Sequence, residues 1–229
     1  MGNINFKFKK LGQSGVTIVE LMVVIGTASA LLIAFATVSI YMYGDTVRTS
    51  IYAQIATESQ TILRSVVEEL RQSSSIRETN TNIDANAPAG GWSTSNSNLI
   101  LIISTPVLDS SNNFIINSST GDPYQNEIVY FTSGTKLYKR FIADTAAVGN
   151  TRQTTCPQAT SYSSCPPDIL MSSNFKTLGF VFYDQDNTVT TVIPNARSIK
   201  LLIEMQRKVA GKTLLFDNTI RITIRNTYP

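Results

Sequence analysis

Gly15-Val16-Thr17-Ile18-Val19-Glu20 decides the reading of this chain, because a small residue and a lone carboxylate stand at the entrance to a long apolar run. From Leu21 to Gly44 there are 24 residues without a charge. As a helix rising 1.5 Å per residue, such a run reaches ~36 Å and crosses a bilayer core of ~30 Å. Glu20 therefore enters the membrane boundary. A carboxylate there costs up to about 2.5–3.5 kcal/mol at the bilayer centre and less near its edge, so it calls for a partner.

The residues before the run point to one. Lys7, Lys9 and Lys10 make residues 1–15 a basic leader without an acid. Cleavage after Gly15 would place a new ammonium on Val16, one helical turn from Glu20. A secretory signal peptide has its small-residue cut site after a short apolar core, and Ala28-Ser29-Ala30 imitates such a site. The apolar stretch nevertheless continues through Leu31-Leu32-Ile33-Ala34-Phe35. No cysteine lies near it to carry a lipid. A Lys-rich flank stays in the cytoplasm, which predicts that everything after Gly44 lies outside.

The string Gly15-Val16-Thr17-Ile18-Val19-Glu20-Leu21-Met22-Val23-Val24-Ile25-Gly26 resembles the leader junction of type IV pilins and type II secretion pseudopilins. In that family a prepilin peptidase cuts after the glycine and methylates the new terminus, and a glutamate five residues in aligns subunits in the fibre. Carried over by position, the resemblance implies cleavage at Gly15, N-methylation at Val16 and an assembly role for Glu20. Val16 stands where family members usually carry Phe or Met. The implied partners are the peptidase, neighbouring pilin or pseudopilin subunits, an inner-membrane assembly platform, and lipid before assembly. The implied fold is α+β, a long amino-terminal helix packed on an antiparallel sheet.

After Asp45 the apolar residues Val47, Ile51, Ile55, Ile62, Val66 and Leu70 recur at spacings of four and seven, which places them on one helix stripe. The pattern predicts one element over about 17–72, with a membrane half in 16–44 and an amphipathic half in 45–73. Ser73-Ser74-Ser75 ends it. Gly44 costs only ~1 kcal/mol against Ala, so a bend is expected there in preference to a break into two helices. Residues 74–98 read as a polar loop, with Trp92 anchoring it onto the domain.

From 99 to 229 the period changes to two. Strands are expected at 99–104, 114–117, 127–132, 136–142, 178–183, 198–206 and 214–225, with a hairpin turn at Ser133-Gly134-Thr135 and one antiparallel sheet overall. The stretches 128–131, 137–140, 178–184 and 224–226 resemble the larger minor subunits of the family, the J-type pseudopilin and the W-type minor pilin.

Composition narrows the chemistry. The formal charge of +3 resides in the leader, since 19 bases less its three lysines leave 16 against 16 acids. A near-neutral remainder of about 185 residues has room for one domain and carries no electrostatic footprint for nucleic acid. The chain contains no histidine, which removes Ser-His-Asp and Cys-His sites and HExxH zinc sites. Cys156 and Cys165 enclose a short loop and are expected to form a disulfide outside the cell, worth roughly 2–3 kcal/mol as a staple on a surface loop. Glu68 and Glu69 are consecutive on a helix and diverge. Asp184 and Asp186 fall in a turn rich in the residues turns prefer; an oxygen-rich loop of this kind is a weak candidate for calcium without the EF-hand spacing. No other cofactor is expected. Besides a fibre subunit, the sequence admits a single-span, membrane-anchored binding or adhesion protein that never polymerises, and an envelope-fixed hydrolase using paired carboxylates.

Overall fold

A computed structural model describes residues 15–209 and 211–224. The protein is α+β: one long amino-terminal helix and two antiparallel sheets. It divides into two compact units with the boundary after Thr49.

The helix α1 runs unbroken over Ile18–Gln72. Gly44 lies inside it, so the two-helix alternative does not hold. Thr27, Thr37, Thr46, Thr57 and Thr61 turn their hydroxyls back to carbonyls one turn earlier, at 2.8–3.0 Å for the bond four residues back, which keeps these β-branched polar residues compatible with the helix. Termination follows the serine run. The Ser73 hydroxyl donates to Leu70 O at 2.7 Å and satisfies a carbonyl the helix end leaves open. Ser74 N–H then donates to Ser104 O at 2.9 Å and hands the chain to the first sheet.

That sheet contains β1 (Ser75–Arg77), β2 (Leu101–Pro106), β3 (Gln125–Ser133), β4 (Lys136–Ile142) and β5 (Ile169–Ser172) in spatial order β1-β2-β3-β4-β5. The second contains β6 (Phe175–Tyr183), β7 (Val189–Thr190), β8 (Ser198–Val209) and β9 (Lys212–Thr223) in order β7-β6-β8-β9. Every pairing is antiparallel. The β3–β4 hairpin closes with Gly134 at φ +61°, a left-handed conformation that glycine adopts without Cβ strain.

Within the unit beginning at Ser50, the buried stripe of α1 is Ile55, Ser59, Ile62, Leu63, Val66, Val67 and Leu70. The apolar members of this stripe share one core with Leu101, Ile103, Ile128 and Tyr130 of the first sheet and with Leu178, Phe180, Ile199, Leu201, Ile203 and Met205 of the second. The helix is thus built into the domain by the spacing read from the sequence. Cutting Ile55 or Leu70, both fully buried, back to Ala removes about 2–5 kcal/mol.

Several expectations need correction. There are two sheets where one was expected, and the interval 74–98 opens with a strand, β1, whose Ile76 enters the core. Residues 114–117 form only isolated bridges, Leu108↔Phe114 and Ile116↔Pro123. The reason is local. Asp109 Oδ1 accepts the Ser111 and Asn113 N–H groups at 2.8 and 2.9 Å, and Asn117 Oδ1 accepts Ser119 N–H at 2.9 Å. These side-chain turns fold the chain back on itself, so that Ile115 N–H donates to Val107 O at 3.1 Å and Asn117 N–H to Asp122 O at 2.7 Å, both near in sequence, and not along a ladder. The short strands β5 and β7 were not expected, because four and two residues carry too little period to read. The segment 225–229 lies outside the described residues.

Candidate functional site

Gly15, Val16 and Thr17 precede the helix and are exposed, so the bond between Gly15 and Val16 lies on accessible, non-helical chain. Lys7, Lys9 and Lys10 lie outside the described residues. Thr17 and Glu20 close the helix start on each other. Glu20 Oε2 accepts the Thr17 N–H and hydroxyl, both at 2.9 Å, while Glu20 N–H donates to Thr17 Oγ1 at 3.3 Å. This is a capping box, in which an N-cap Thr and an N3 Glu satisfy each other's backbone donors. Glu20 Oε1 makes no hydrogen bond among the described residues. The Thr-x-x-Glu spacing that signals the box is in the sequence, overlaid there by the stronger signal of the apolar run.

From Val16 to Tyr43 every residue is exposed. The apolar half of α1 is long and apolar enough to cross a membrane, and none of that stretch is buried within the chain. Lone exposed apolar residues are ordinary, but a continuous apolar helix requires cover from lipid or from other protein.

A second constellation is fully interior. Arg140 on β4 is 2% exposed and lies between two carboxylates. Its Nη2 donates to Asp168 Oδ2 at 2.6 Å and its Nε to Asp168 Oδ1 at 3.0 Å, a bidentate fork. Its Nη1 donates to Asp84 Oδ2 and to Asn86 O, each at 3.0 Å. The guanidinium lies 5.3 Å from the Trp92 ring centroid and 5.4 Å from that of Phe131. Trp92 Nε1 donates to Asp84 Oδ2 at 2.7 Å. Burial pulls the Arg140 pKa down, but the hydrogen bonds and charges of Asp168 and then Asp84 outweigh it and raise the pKa above the ordinary arginine value.

The cysteines belong to this network. Cys156 and Cys165 form a disulfide with a Cα–Cα distance of 5.5 Å. Both cysteines are buried, while the loop they close is exposed at 158–160 and 162–164, so the bridge staples a surface loop onto the interior. Asp168 N–H donates to Cys156 O at 2.7 Å, and Thr155 Oγ1 donates to Asp168 Oδ1 at 2.8 Å. The closed loop therefore seats the carboxylate that grips Arg140.

Glu127, fully buried, holds the same polar interval from another point by accepting Thr81 N–H and hydroxyl at 2.8 Å and Asn82 N–H at 3.1 Å. Asn96 extends the tether to the second sheet, exchanging amide bonds of 2.7 and 2.8 Å with the Phe180 backbone. Glu69 receives the Tyr130 hydroxyl and the Lys139 ammonium, while Glu68 faces Arg71 at 3.6 Å, so the two glutamates diverge. Burial, followed by the Glu69 charge, pushes the Tyr130 hydroxyl pKa well above its ordinary value.

Asp184 is occupied by its own turn. Its oxygens accept the Thr188 hydroxyl at 2.6 Å and the N–H groups of Thr188 and Asp186 at 2.9 and 3.0 Å, and the Thr188 bonds first of all hold its pKa below the ordinary value. Among the described residues no three of His, Cys, Asp and Glu gather in a way that could hold a metal ion. Compared with known proteins, the chain matches no family model and no curated protein.

Proposed function

We propose that this chain is a minor pilin or pseudopilin, a structural subunit of a type IV pilus-like or type II secretion-like fibre, processed between Gly15 and Val16. The observation that carries the reading is a single helix whose first half is apolar and uncovered, with Glu20 at its start, and whose second half is built into an α+β domain. A pilin-like arrangement of helix and sheets is part of the proposal.

The mechanism is assembly, not catalysis. Before assembly lipid covers the apolar half. In the fibre, neighbouring helices replace the lipid, and the Glu20 carboxylate meets the Val16 ammonium of an adjacent subunit. The capping box prepares this pairing: Thr17 occupies Oε2 and leaves Oε1 for a charged donor. An unpaired carboxylate inside a helix bundle is penalised by several kcal/mol, so only the axial register that pairs it is populated. Size adds support for a minor position, because the long polar segments of this domain would crowd a repeated shaft.

One observation favours a second reading. The capping box gives Glu20 a local role that a non-polymerising, single-span surface protein would also use. Mass spectrometry of the mature protein separates the two. A fibre subunit begins at N-methylated Val16; an unprocessed anchor begins at Met1, and a conventionally cleaved export product begins after Ala30.

A further inference from the structure

The domain carries a polar cleft of about 830 Å³ at the carboxyl end of α1, lined also by residues of β3 and β4 and by Leu108, Asn112 and Phe114. Three cations line it, Arg71, Lys139 and Arg152, against one acid, Glu69. Two of these cations are already engaged, Lys139 by Glu69 and Arg71 by Glu68. Arg152 has no carboxylate partner among the described residues, and its guanidinium sits 5.7 Å from the centroid of the Phe141 ring. Phe114, 60% exposed, lines the same cleft. Asn126 lies beneath with its Oδ1 filled by Asp144 N–H at 2.9 Å and by the Asn150 amide at 2.7 Å, while its Nδ2 makes no hydrogen bond among the described residues.

The geometry points to a binding site for an acidic saccharide. Each part of such a ligand meets a matching group. A sugar carboxylate takes the Arg152 guanidinium, where a charge-assisted bond is stronger than a neutral one. The apolar C–H face of the ring lies on Phe114 or beside the Arg152–Phe141 stack. Ring hydroxyls find Asn126 Nδ2 and the side chains of Asn112 and Thr105. The site lies wholly within the unit beginning at Ser50, so it stands whether or not the helix assembles into a fibre.

The test is calorimetric titration of the full chain in nonionic detergent at low ionic strength with trigalacturonate, its neutral galactose trisaccharide counterpart, and hexaglutamate. Trigalacturonate is expected to bind at least about tenfold more tightly than the neutral sugar, a difference the size of one good charged contact. Arg152→Gln should erase that difference, Phe114→Ala should weaken both sugars, and Lys136→Gln, outside the cleft, should change neither. The proposal is overturned if neither sugar binds up to ~10 mM, the limit of weak specific recognition. It is equally overturned if the two sugars bind alike, if hexaglutamate matches trigalacturonate, or if Arg152→Gln binds as the native chain does. Arg152 and Phe114 are exposed, so unaltered thermal unfolding of both variants keeps a lost affinity attributable to the cleft.

Discussion

Arg140 Nη2 and Asp168 Oδ2 lie 2.6 Å apart in the interior of the domain, and this contact joins β4 to the segment that follows the disulfide loop. Burial of both side chains makes the pair costly to break. Arg140→Met should leave Asp84 and Asp168 buried without a cation and destabilise the domain by about 3–5 kcal/mol. Arg140→Lys should recover only part of this, because an ammonium cannot reproduce the two-pronged contact. Chemical denaturation of the full chain in detergent, followed through Trp92 fluorescence, measures both. A loss below about 1 kcal/mol, the scale of an exposed ion pair, would contradict the interior role.

The disulfide should act through the same contact. Replacing Cys156 and Cys165 by Ser is expected to cost roughly 2–3 kcal/mol for release of the short loop. Combined with Arg140→Met, the cost should fall clearly short of the sum, because the Arg140–Asp168 contact is weakened by either change, through loss of the seat of Asp168 in one and of its cation in the other. Strict additivity in this double-mutant cycle would show that loop and network are independent.

Tyr130 sets an alkaline limit. Its hydroxyl pKa is raised in the folded protein, so the folded state keeps a proton that the unfolded chain loses above about pH 10. The stabilisation is complete below that pH and is lost as pH rises through the folded value. Tyr130→Phe should flatten the decline of unfolding temperature above pH 10, although it costs stability at pH 7 by removing the bond to Glu69. An identical alkaline slope in the two proteins would assign the decline to other groups.

The two ends of the capping box should separate functionally. Thr17→Val removes the cap at a cost of about 1 kcal/mol but leaves the carboxylate, so the proposed fibre role predicts that fibres still form. Glu20→Ala should insert in the membrane and remain unassembled in cells lacking the native copy. Wild-type incorporation of Glu20→Ala would remove Glu20 from any role in register.

The turn at Asp184 should be indifferent to calcium. Its oxygens already accept three donors from the turn, so neither added calcium nor a chelator should move the unfolding temperature. A calcium-dependent rise of several degrees would restore the turn as a cation site.

How far the fold was legible follows from the range of the interactions involved. The α1 stripe and the β3–β4 hairpin repeat over neighbouring residues, and Val66, Leu70 and Gly134 sit as their spacing predicts. Residues 114–117 mislead because apolar Phe114 and Ile116 imitate a strand, while Ile115 and Asn117 spend their backbone donors on the nearby Val107 and Asp122 carbonyls. The capping box was legible in Thr17 and Glu20 and was masked by the stronger membrane signal. The cleft around Arg152 and Phe114 had no sequence signal, since its walls come from five separate segments.

The sequence alone determined the elements whose cause is local: a membrane-length apolar helix from its uncharged run, its amphipathic continuation from the four- and seven-residue spacing, and a pair of cysteines close enough to bridge. Only the tertiary structure decided that the strands divide into two sheets sharing one core beneath the helix. It alone brought Asp84, Arg140 and Asp168 together across 84 positions of chain. A buried charge is stable only where partners converge on it, and that convergence depends on how distant segments pack, which no period or spacing along the chain records.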